Sequence, residues 1–148
     1  MKSPANSHWR GPTLAVLLLR LTLGLDICMH GVSRIAVGPA TFANSLVPMF
    51  QSTPLPAWSV HLFGLILPWA EAILGFLLLL VFCTRFALVT GSLLILVLMF
   101  GTTMRQDWSA AGIQLIYAAV YAALLVLDRW NDYSLDRWLS HSQRRVAP

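Results

Sequence analysis

Four long apolar stretches constrain this chain more than any other feature. Residues 13–35, 58–82, 86–104 and 109–127 consist mainly of Leu, Val, Ile, Phe, Ala and Gly. Each has about 19 to 25 residues, enough to cross roughly 30 Å of hydrocarbon as a helix. Lipid offers the backbone no water, so a spanning segment must close its own hydrogen bonds, and a helix does that. Composition agrees: 57% of the 148 residues are hydrophobic and 11% charged, against roughly 25% charged in an ordinary soluble domain. The mean hydropathy is +0.70. The expected fold is all-α, an integral membrane four-helix bundle with no soluble domain left over. Residues 1–12 and 128–148 read as tails, and 36–57 as the loop joining the first two spans. The first span resembles the start of a secretory signal, but Arg20 interrupts its apolar core and no small-residue cleavage site follows at the usual distance, so it reads as uncleaved.

The flanking basic residues predict the orientation. Lys2, Arg10, Arg85, Arg129, Arg137, Arg144 and Arg145 share the side of both termini, with Arg34 and Arg105 opposite. This asymmetry predicts cytoplasmic N and C termini in a multi-pass protein of the bacterial inner membrane. The net charge of +4 is then a topology signal, and nothing points to nucleic acid. Cys28 and Cys83 fall at opposite ends of their spans, too far apart to bridge, and read as small packing residues.

In the loop, Pro39, Pro48, Pro54 and Pro56 exclude one continuous helix. Its middle, 42–50, alternates apolar and small polar residues and suits a short interfacial helix or re-entrant turn capping the bundle. The connection around CTRF is very short, which makes the second and third spans antiparallel neighbours. The third span has no internal ionisable residue and carries Gly91, Ser92 and Gly101, so it reads as scaffold. In the C-terminal tail, Trp130, Tyr133 and Trp138 suit a headgroup-level anchor.

Arg20, Asp26 and Glu71 lie inside the spans, where an ionised group costs about 2.5–3.5 kcal/mol near a helix centre. Mutual pairing offsets that cost. Placed by the midpoints of their spans, Arg20 lies about 6 Å to the cytoplasmic side of centre, Asp26 about 3 Å to the other, and Glu71 almost at centre. The expected pair is Arg20 with Glu71, which makes Asp26 the carboxylate expected to be protonated. Asp26, His30 and Arg34 follow at spacings of four and form one ridge along which protons can pass. His61, Gly64, Pro68, Glu71 and Gly75 form one face of the second span, where Pro68 should kink the helix and free carbonyls. Gln114, Tyr117 and Tyr121 form a face of the fourth.

Three polar faces thus turn inward. Either they are structural glue, or they enclose a small site for a quinone-like head group or for protons. In the second case Glu71, Asp26 and His30 are the catalytic acid/base groups, and Arg20, His61, Gln114, Tyr117 and Tyr121 hold the ligand. A haem between His30 and His61, which fall at comparable expected heights, lacks the supporting residues such sites carry. Cys28 and His30 point about 100° or more apart on the helix and do not chelate a metal together.

Several patches together resemble the DoxX/DoxD family of four-helix membrane proteins: LRLTLGLDICMHGVSRI, LPWAEAILGFLLLLVFCTR and, after the fourth span, YSLD. Arg20, Gly24, His30 and Gly31 fit the family's R…G…HG pattern. Glu71, Gly75, Thr84 and Arg85 fit its E…G…TR, and Ser134 to Asp136 its SLD. The resemblance covers roughly residues 18–139. It implies redox work of the kind done by a membrane subunit of a thiosulfate:quinone oxidoreductase, with a partner redox protein or a homo-oligomer supplying what this chain lacks. Arg34 stands for a basic residue the family often has after HG, while the role of Asp26 is not carried over from the family and rests on its place in the span alone. Two other roles stay open: a non-catalytic membrane anchor or assembly factor for a partner enzyme, and small-solute or proton transport.

Overall fold

The computed structural model describes residues 11–130. The tails expected to carry the SLD motif and the Tyr133 and Trp138 anchor lie outside the described residues, as does the Trp130 side chain. Five α-helices run in order, α1 Gly11–Val37, α2 Pro39–Met49, α3 Ala57–Leu80, α4 Thr84–Met104 and α5 Trp108–Val126, followed by a 3-10 turn, Leu127–Trp130. Among the described residues there is no strand. The helices α1, α3, α4 and α5 are long and apolar enough to cross a membrane.

The segment between the first two spans is more ordered than a loop. Gly38 alone separates α1 from α2, at φ 103°, a conformation that side chains resist. Pro39 then opens α2 at a position where its missing N–H costs nothing. Pro48 sits in the last turn, and the helix ends one residue later. The prolines that exclude a continuous helix over 36–57 thus bracket a short one. The tight connections later in the chain need left-handed residues, Val81 and Cys83 between α3 and α4 and Gln106 between α4 and α5. Asp107 caps α5, its Oδ1 accepting from Ala110 N at 3.1 Å.

The most extensive packing joins α1 to α3 and α4 to α5, while the α3/α4 and α1/α5 seams are narrower. Glycines explain the close α1/α3 contact. A Cβ on Gly31 would overlap the backbone of Ala72 and Pro68, and one on Gly75 the backbone of Cys28. Helices that touch backbone to backbone gain dispersion along their whole length, which is how small residues join helices in lipid. In the other pair, Gly91 receives the ring of Tyr121. Cys28 and Cys83 form no disulfide with each other.

These contacts set the axial register. Gly24 lies against Leu78 and Gly31 against Ala72, so the centre of α1 faces the C-terminal part of α3 rather than its middle. The first turns of α3 project past α1, and α2 folds over them, with Ala43 fully buried against Gly64. Packing also differs between the two ends. Val16, Leu23, Leu78, Ala87, Leu88 and Leu124 pack together toward the end where α1 begins and α5 finishes. The α2 end is hollow.

Candidate functional site

The hollow end holds two adjoining cavities. The smaller, about 190 Å³, lies where α1, α3, α4 and α5 converge. Its walls include His30 and Arg34 from α1, Glu71 from α3, Leu98 from α4 and Gln114 and Tyr117 from α5. Ile27 and Ile95, which belong to the solid core, also line it.

Each long helix contributes a polar bond there. Arg34 Nη1 donates to Glu71 Oε2, joining α1 to α3. Tyr117 Oη donates to Asp26 Oδ2, joining α5 to α1. Thr102 Oγ1 donates to Gln114 Oε1 at 2.7 Å, joining α4 to α5. The ridge on α1 is continuous as well: His30 Nδ1 lies 2.9 Å from the Asp26 carbonyl oxygen and 3.8 Å from Asp26 Oδ2. A carbonyl only accepts, so Nδ1 is the ring nitrogen that donates here. The Asp26 and His30 side chains are 43% and 48% exposed, so the cluster opens outward beside the narrow α1/α5 seam.

The larger cavity, about 370 Å³, lies beneath α2 between α3 and α4. Phe42, Leu46 and Phe50 roof it, and Phe63 and Phe100 are among its walls. Two cation–π contacts hold the roof: Arg34 lies 4.8 Å from the Phe42 ring centroid and Arg105 lies 5.2 Å from that of Phe50. Arg105 is itself paired with Asp107 at 3.2 Å. Arg34, Leu98 and Gln114 line both cavities, which therefore adjoin at these side chains.

Five residues singled out in the sequence therefore meet at one place: Asp26, His30, Glu71, Gln114 and Tyr117. Three do not. Arg20 is only 1% exposed, but the register places it beside the end of α3, about eleven residues or 16 Å along the axis from Glu71. The expected Arg20–Glu71 pair is thus corrected to Arg34–Glu71. Arg20 instead feels the charge of Asp128, in the turn after α5. The same register sets His61 about 16 Å from His30 along the axis, so the two are not at comparable heights, and His61 lines neither cavity. Tyr121 is core, 1% exposed against Gly91.

Sequence reasoning passed over Arg34 as the partner of Glu71 and Thr102 as a member of the site. Arg34 was already visible on the ridge with His30. Thr102 gave a weaker signal, a hydroxyl near the end of an otherwise apolar span. Among the described residues, no group of three or more His, Cys, Asp or Glu side chains is placed to hold a metal ion. Compared with family models, curated proteins and solved structures, the chain gives no match.

Proposed function

We propose that this chain is a four-helix membrane bundle with both termini in the cytoplasm of a bacterial inner membrane, and a DoxX-type subunit of a quinone-linked redox complex. The observation that carries the reading is the smaller cavity, in which donors, acceptors and a carboxylate from separate helices converge within the spans, toward the α2 end. Ionisable groups inside a span are costly, and where they line a cavity they mark substrate or proton paths. The Gln114 amide N–H2 and the remaining N–H groups of Arg34 offer hydrogen-bond donors to quinone carbonyl oxygens, while Tyr117 donates to Asp26. His30 and Asp26, open toward the seam, suit proton delivery. Reducing a quinone to a quinol takes two electrons and two protons. The residues described here suit the proton half, and a reduced cofactor on a partner protein would supply the electrons.

The test is to purify the protein in mild detergent, record its absorption spectrum and identify extracted small molecules by mass spectrometry. A near-stoichiometric quinone is expected. Gln114→Leu should stay folded and retain about fivefold less, the effect of one neutral hydrogen bond. An empty, colourless, well-folded protein would refute the quinone reading. It would favour the anchor or assembly role, to which one observation already lends support: the site's polar groups bond to one another, as structural glue would.

A further inference from the structure

The larger cavity plays no part in the reading above, and its walls say what it can hold. Five of its lining residues are polar: Arg34, Ser59, Thr102, Arg105 and Gln114. Each already has a partner. Arg34 is paired with Glu71 and Arg105 with Asp107, Thr102 bonds Gln114, and Ser59 Oγ donates to the Pro56 carbonyl at 2.7 Å. The rest of the lining is Phe, Leu, Val and Gly. Eleven of the sixteen lining residues are apolar, a surface that favours hydrocarbon over ordered water, which needs two to four polar partners. Arg34, Leu98 and Gln114 line both cavities, so the apolar space adjoins the polar one.

We propose that the chamber beneath α2 holds the hydrocarbon tail of the ligand whose head group occupies the polar cavity, so that the substrate class is a lipid-soluble, tailed carrier rather than a small water-soluble one. This rests on reading the polar cavity as a head-group site. Polar and apolar parts of such a molecule match the two cavities in order, and the aromatic roof of α2 closes over the tail.

Gly101 provides the test. It lines the chamber, and a Cβ there would meet only the Phe50 ring, at 3.4 Å, an ordinary contact. Gly101→Leu therefore grows a side chain into the tail space without displacing backbone. The probes are 2,3-dimethoxy-5-methyl-1,4-benzoquinone and its 6-decyl derivative, titrated against the purified full chain in detergent, with Gly112→Leu as a control on the outer face of α5, where nothing lies within 4 Å. Each buried methylene contributes about fourfold in affinity. The decyl compound should bind at least about tenfold more tightly than the tailless one in the parent and in Gly112→Leu, and Gly101→Leu should remove most of that advantage while leaving tailless binding within about twofold. Should Gly101→Leu fail to fold, Ser59→Leu narrows the chamber from α3 and carries the same expectation.

An equal affinity for both probes, or a tail advantage that survives the filled chamber, overturns the inference and leaves the head-group reading standing. Loss of both probes equally on filling the chamber overturns the tail assignment too. Binding of neither probe to the folded parent overturns the head-group reading, and the inference with it.

Discussion

Replacing Arg34 with Met should destabilise the protein more than any other single loss of charge at the site. Glu71 is 4% exposed and bound by Arg34. Removing one member of a buried ion pair costs about 3–5 kcal/mol, because the remaining charge is left uncompensated. Glu71→Gln is milder. The amide oxygen still accepts from Arg34, and Arg34, whose side chain is 26% exposed, can turn its guanidinium toward the surface, so the expected cost is about 1–2 kcal/mol. Because the second change removes the charge that the first strands, the double variant should cost less than the two singles together, with a coupling of about 2 kcal/mol. Arg20→Met combined with Glu71→Gln should be additive within about 0.5 kcal/mol, since the register separates the two by about 16 Å. The assay is reversible unfolding in mixed micelles by added denaturing detergent, followed by circular dichroism and tryptophan fluorescence. Coupling between Arg20 and Glu71, with none between Arg34 and Glu71, would refute the register and the pairing drawn from it.

Two further outcomes probe the framework around the site. Gly75→Val should lower stability by at least about 3 kcal/mol or abolish folding, because even its Cβ would overlap the Cys28 backbone and force α1 from α3; the same unfolding titration reads it, and a loss below about 1 kcal/mol would contradict the close approach. Asp107→Ala should cost about 1 kcal/mol through loss of the α5 cap, with faster amide hydrogen exchange confined to the first turn of α5 as its signature.

Several features of the site were legible before any coordinates. Asp26, His30 and Arg34 share a helix face whatever surrounds the helix, because spacings of four fix that. Glu71 on a face of glycines announced a close neighbour, and Gln114 and Tyr117 announced a polar face on the last span. The bracketing of α2 by Pro39 and Pro48 was legible only in part, since proline excludes helix interiors but equally favours helix starts. The packing role of Tyr121 was hidden because it depends on Gly91 of another helix.

By itself the sequence determined the helical class, the four apolar stretches and the residues that share each face. Those follow from lipid-compatible composition and from the helical period, both properties of one segment at a time. The pairing of Glu71 with Arg34, the distance of His61 from His30 and the hollow end beneath α2 were decided by tertiary structure. All three depend on the axial offset between α1 and α3. Apolar side chains slide along one another in lipid at little cost, so hydropathy places a span only to within a few residues. The offset is set by where backbones touch, Gly31 on Ala72 and Gly75 on Cys28. Those contacts exist only once two helices have met.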